Sequence, residues 1–341
     1  MLTVFGLVGA LLAGVLAETV LAVTEPGAGK DGSEEDATDD REQDPDEVIP
    51  LHEEGDPHEE GDPIESDDIP DPQDAPVALQ GGDGDDLIRG GGAADAIAGG
   101  AGNDQIDAGA GDDDLDGGEG DDILWAGEGD DLLEGGDGDD ILHGQAGHDM
   151  LRGGADDDSL CGHEGDDLIY GGEGRDTLIG GSGDDRLDGG EDDDWLAGGE
   201  GGDQLTGGRG SDTQDGGDGN DTLYGAFPEG DDGAGDFLNG GNGDDMLVLG
   251  AKDHGSGGAG ADVFALSQWL GEGGFATITD YDAAEDRIVL VYDAAVHAAP
   301  QLKLVPLEGT EDVKILLDGH TVGLVSGGAG LSAGDITLRA A

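Results

Sequence analysis

The chain has 341 residues, of which 84 are Asp or Glu and 12 are Lys or Arg, giving a formal net charge of −72. Glycine contributes 73 residues and aromatics only 4%, which is not the composition of an ordinary globular domain. So acidic a surface excludes binding to nucleic acid and to anionic membranes, and its self-repulsion opposes compaction unless small cations neutralise it.

Residues 1–23 form a hydrophobic export or anchor segment. Leu2 to Val23 are apolar apart from Thr3, Glu18 and Thr19, a length that suits an N-terminal hydrophobic helix. No Lys or Arg precedes it, so its orientation is unassigned, and membrane contact is expected only through residues 2–23 if they are retained. Residues 24–80 form an acidic disordered linker with Lys30 and Arg41 as its only basic groups, and it carries the hexapeptide His52–Pro57 again as His58–Pro63. High charge with little to bury predicts a solvated, extended spacer.

From Gly81 a period of nine runs without a gap to Tyr224, sixteen repeats in all. The sixth position is Asp in every one: Asp86, Asp95, Asp104, Asp113, Asp122, Asp131, Asp140, Asp149, Asp158, Asp167, Asp176, Asp185, Asp194, Asp203, Asp212 and Asp221. The eighth is Ile or Leu except at Gln214. Positions one, two and four are mostly glycine, with departures at Ala108, Ala126, Gln145, His163, Ala93, Asp156 and Asp192. An insertion at 225–230 breaks the register, which returns imperfectly up to about residue 262. Each nonapeptide predicts a six-residue glycine turn and a three-residue strand whose middle residue, position eight, points inward. Two repeats make one turn of a flattened right-handed helix, so sixteen give about eight turns and a rod of ~38 Å.

The glycines leave backbone carbonyls unshielded, and the position-six Asp adds a carboxylate beside them. Such hard oxygen donors suit Ca²⁺ better than the smaller, more strongly hydrated Mg²⁺. Thiolate is absent from the repeat and histidine is sporadic, so Zn²⁺ and Cu²⁺ are not indicated. Cys161 is the only cysteine, which excludes an intrachain disulfide and reads as an incidental thiol.

Residues 263–341 change character. Period-two apolar stretches at 275–281, 287–292, 301–307, 313–317, 321–325 and 335–338 predict a small, mostly antiparallel β domain. Phe264, Trp269, Phe275, Ile278 and Ile288 gather apolar mass just where the last coil needs a cap.

The nonapeptide resembles the glycine-rich calcium-binding repeat of the RTX, or hemolysin-type, family. The resemblance implies an all-β chain with a parallel β-roll over 81–262, closed by a C-terminal β capping domain over 263–341 with a secretion signal. Carried over by position, it implies many Ca²⁺ ions held by the sixteen position-six aspartates, together with Asp236, Asp245 and Asp262. The stretch Ile278–Ile288 is similar to the domain that closes the roll in such proteins. An extracellular or cell-surface location and the type I secretion machinery as a partner follow from the same resemblance, although Leu2–Val23 is unusual for that route.

Two other readings compete with this one. Asp112, Asp114, Asp116 and Gly117 match the opening of an EF-hand loop, but its twelfth position is Ile123 where a bidentate Glu is required. An enzyme, such as a secreted hydrolase or toxin-like effector carrying the repeats as an export module, would need a catalytic domain. The chain contains no His-Glu-x-x-His or Gly-x-Ser-x-Gly motif. The expectation is therefore a non-enzymatic calcium-binding protein with a structural or adhesive role.

Overall fold

A computed structural model describes residues 75–226, 232–267 and 274–340. The hydrophobic segment and nearly all of the acidic linker lie outside the described residues. Within them there is no helix, and 27 strands form two sheets. Thirteen of the fourteen odd-numbered strands in chain order make one sheet, and the thirteen even-numbered strands with Val313–Leu317 make the other, so each coil of the repeats lays one strand in each sheet. This is a parallel β-solenoid. Up to the insertion, neighbouring strands are offset by 18 residues, two nonapeptides, as in the pairing of Leu142 with Leu160 and of Leu160 with Leu178. The parallel ladder already begins at Ala78–Gln80, which pairs with Ala96–Ala98.

The strands are twice as long as the three residues expected. Ile141–Ala146 covers positions seven to nine of one repeat and one to three of the next. Along it Leu142 and Gly144 are buried, and so are the corresponding residues of the other repeats from Ile97 on, whereas Ile88 and Gly90 of the first are half-buried. The inward-facing set is thus position eight, position one and the Asp at position six. Position eight forms the apolar column from Ile97 to Leu223, continued by Leu238 and Leu247.

The glycines answer to two different constraints. From Gly100 on, those at positions two and four have positive φ, for example 122° at Gly136 and 120° at Gly120. Position-one glycines such as Gly117 do not, and answer to packing instead, with only alanine, at 108 and 126, in their place. A Cβ built on Gly117 would lie 2.5 Å from Asp122 Oδ2 and 2.6 Å from the Gly135 carbonyl oxygen of the next coil. Gln145, His163, Asp156 and Asp192 replace glycine at positive-φ positions, and their backbones fall to φ 77–82°, into the left-handed helical well.

Gln214 interrupts the apolar column with a purpose. It is buried, and its Nε2 donates to the Tyr224 carbonyl at 2.9 Å, where the strand Thr222–Tyr224 stops short and the insertion begins. The side-chain amide thus gains a backbone acceptor at the end of the short strand, while its buried Oε1 has no partner in the protein.

Parallel pairing continues beyond the repeats. Val263–Ser267 pairs with Arg287–Tyr292, which pairs with Ile336–Ala340. The antiparallel pairing expected here joins Leu302–Pro306, Val313–Leu317 and His320–Val325, so the C-terminal region is a mixed sheet continuous with the roll. Phe264, Ile278 and Ile288 are fully buried in it, Phe275 is half-buried, and Trp269 lies outside the described residues.

Candidate metal centre

Position six ends each turn, immediately before the strand, and its side chain folds under the coil. Of the nineteen aspartates singled out by sequence, eighteen are buried, and Asp86 at the open N-terminal edge is half-buried. Two columns result, one along each edge where the sheets meet. Asp104, Asp122, Asp140, Asp158, Asp176, Asp194 and Asp212 form one. Asp113, Asp131, Asp149, Asp167, Asp185, Asp203, Asp221 and, past the insertion, Asp245 form the other.

Within a column the two carboxylate oxygens differ. Oδ1 accepts the backbone N–H of the Asp one coil earlier: Asp122 donates to Asp140 at 2.8 Å and Asp140 to Asp158 at 2.9 Å. Oδ2 of all fifteen residues just named is buried and has no hydrogen-bond partner in the protein. In thirteen of them it faces the space that the missing Cβ of the position-one glycine leaves open, most often beside a carbonyl of the next coil; before Asp113 and Asp131 that position is Ala108 and Ala126. A buried carboxylate oxygen without a partner carries a large desolvation cost. The same burial raises its affinity for a proton. Burial, reinforced by neighbouring aspartates and only partly offset by the N–H bond, pushes Asp140 up to about 7 and Asp158 and Asp194 to about 8.

A hard divalent cation resolves that conflict. Anionic and carbonyl oxygens, repeated along a column with no nitrogen or sulfur donor among them, match the ligand preference of Ca²⁺. The residues present therefore fit calcium.

The remaining predicted positions sit at the margins. Asp95 spends its Oδ2 on the Gly91 N–H at 2.9 Å. Asp236 and Asp262 extend the columns, with Oδ1 accepting from Asp212 and Asp245 at 2.9 and 3.0 Å. Two members escaped the sequence reading. Asp253 and Asp286 continue the Oδ1 ladder toward the C-terminus, but their Oδ2 atoms bind the N–H groups of Gly250 and Asp282. Neither has the flanking glycine pattern, so only the spacing from Asp236 and Asp262 could have suggested them.

A second ladder was also missed. Position-five side chains accept from the position-five N–H one coil later, as Asp112 does from Asp130 and Asp121 from Asp139, both at 3.2 Å. It runs opposite in direction to the position-six ladder and is exposed. The recurrence of Asp and Asn at position five was its signal.

The RTX calcium-binding nonapeptide-repeat family model matches residues 78–227 and 230–253, half of the chain. The chain belongs to this family. Its RTX repeats account for the pairing of glycine turns with an invariant Asp, and calcium binding is the property they support. No curated protein matches the chain. Among solved structures, the AlgE6R3 subunit of the mannuronan C5-epimerase from Azotobacter vinelandii is 25% identical, with 48% of this chain and 80% of that one covered and a TM-score of 0.19.

Proposed function

We propose that this RTX chain is an extracellular or cell-surface structural protein, adhesive in role, whose roll folds when it binds calcium outside the cell. Its ligands are the fifteen aspartates with unpartnered Oδ2 atoms, and this pair of buried columns is the observation that carries the reading. Without cations, the columns hold carboxylates in an environment that disfavours their charge. In cytosolic calcium, sites of extracellular affinity stay empty; millimolar calcium outside supplies the missing partner, and binding free energy becomes folding free energy. Export through the type I machinery, directed by the C-terminal region, accords with a chain that stays unfolded until it emerges.

Circular dichroism of the full chain, titrated with Ca²⁺ and separately with Mg²⁺, tests this. The expected result is a cooperative gain of β signal with calcium and little with magnesium at equal concentration. A native-like β spectrum persisting in excess chelator would refute folding on calcium. Calcium-dependent binding to cells or glycans supports the adhesive role, whereas hydrolysis of a broad substrate panel would favour the effector reading instead.

A further inference from the structure

Two of the sporadic histidines and the single cysteine, unremarkable in sequence, come together on the outer face of one sheet. His143 lies on the strand Ile141–Ala146, and Cys161 and His163 lie on the next, Ser159–Glu164. His143 and Cys161 are register partners in the ladder. His163 is two residues further on, at a position where the repeat calls for glycine, and it holds φ 82°. One donor atom from each of the three residues falls within 4.8 Å of the other two. His143 Nδ1 and His163 Nε2 are 3.1 Å apart. Zinc–nitrogen bonds of 2.0–2.1 Å at a tetrahedral angle place two imidazole nitrogens about 3.3 Å apart, and a thiolate sulfur about 3.6 Å from each. The spacing of the histidine pair already approaches this.

We propose that His143, Cys161 and His163 form a binding site for one divalent transition-metal ion, Zn²⁺ by preference, distinct from the calcium columns. The donor set decides the class. Two imidazoles and a thiolate are borderline-to-soft ligands, which Ca²⁺ and Mg²⁺ do not take up, and the buried aspartates are hard ligands that leave Zn²⁺ without nitrogen or sulfur. The fourth position opens onto a groove that Trp125, Glu164 and Ile179 also line. Trp125 stacks on His143, with ring centroids 6.3 Å apart and planes at 9°, and so holds one ligand ring in orientation. The strong negative field of the chain concentrates divalent cations near the groove. Metal binding converts the thiol to thiolate and releases its proton to solvent, with no change of oxidation state.

A hydrogen-bonded histidine pair beside an idle thiol is the competing reading, and Co²⁺ separates the two. Cobalt is titrated into the full chain held folded in saturating Ca²⁺, which occupies the carboxylates, with a phosphine reductant and with circular dichroism confirming the fold. The expected result is one equivalent of Co²⁺ giving thiolate-to-cobalt charge-transfer absorption in the near ultraviolet, displaced by one equivalent of Zn²⁺. Cys161→Ser, a near-isosteric change on the outer face, should abolish that band while leaving the calcium titration unchanged. His143→Ala and His163→Ala should each weaken cobalt binding at least tenfold. A folded chain that shows no charge-transfer band, or a cobalt titration superimposable on that of Cys161→Ser, overturns the proposal.

Discussion

At the scale of the residue, the two oxygens of one aspartate have separate tasks. Asp140 Oδ1 accepts a backbone N–H, and Oδ2 is left for a cation. Asn in its place keeps the acceptor and discards the charge, while Ala discards both. Asp140→Asn should therefore raise the calcium midpoint and leave the neighbouring coils ordered at saturation. Asp140→Ala should raise it further and also cost about 1–3 kcal/mol for the orphaned Asp122 N–H. Calcium titrations followed by circular dichroism compare them, and identical curves would deny Oδ1 its structural part. The raised titration points also give a sign to the pH dependence. With the folded value above the ordinary 3.8, the metal-free fold gains from protonation. That gain is complete below about 3.8 and is lost as pH rises through about 6 to 8, the values reached by Asp122, Asp140 and Asp158. The calcium-stripped chain should thus show more β signal at pH 5 than at pH 8. Protons compete for the same oxygens, so the calcium midpoint should rise over the same interval on acidification. A midpoint independent of pH would place calcium elsewhere.

At the scale of the element, the strand shows how backbone conformation sorts the glycines. Gly136 sits at φ 122° with the Gly118 carbonyl where a Cβ would go, whereas Gln145 occupies the equivalent position of the next repeat at φ 79°. Gly136→Ala should lower the thermal midpoint in calcium, costing more than about 1 kcal/mol. Gln145→Gly should raise it by relieving roughly 1 kcal/mol of left-handed strain. Calorimetry of both variants in saturating calcium checks the pair, and a shift of the same sign in both would contradict the assignment. Much of this element was legible in the sequence, because a period of nine with Asp at six and Leu at eight has few physical readings. The inward face of position one was not legible, since glycine has no side chain to betray which way it points. Gly117 looks like Gly118 in sequence, although one is required by a carboxylate and the other by its torsion angle. The gathering of His143, Cys161 and His163 was hidden for another reason. Residues 18 and 20 apart become neighbours only once the coil length converts sequence separation into lateral contact.

At the scale of the whole molecule, the ladder makes each coil depend on the one after it. Asp245 N–H is satisfied by Asp262, and Asp262 N–H by Asp286, which belongs to the C-terminal region. Ending the chain after Asp262 removes that last acceptor and strips Val263–Ser267 from the edge formed by Met246–Leu249. The truncated chain should show a higher calcium midpoint and a broader transition than the full chain, as expected when a solenoid loses its cap. Superimposable titrations would make the C-terminal region a passenger. The 18-residue offset between neighbouring strands has a mechanical side as well. Hydrogen bonds between coils point along the rod, so a pull on its two ends loads the coils in series, and the weakest interface gives way first. Each coil released adds about 60 Å of slack at the extended length of a peptide chain. Pulled in this way, the sixteen regular repeats lengthen in equal increments, and each coil that re-forms takes back the same length.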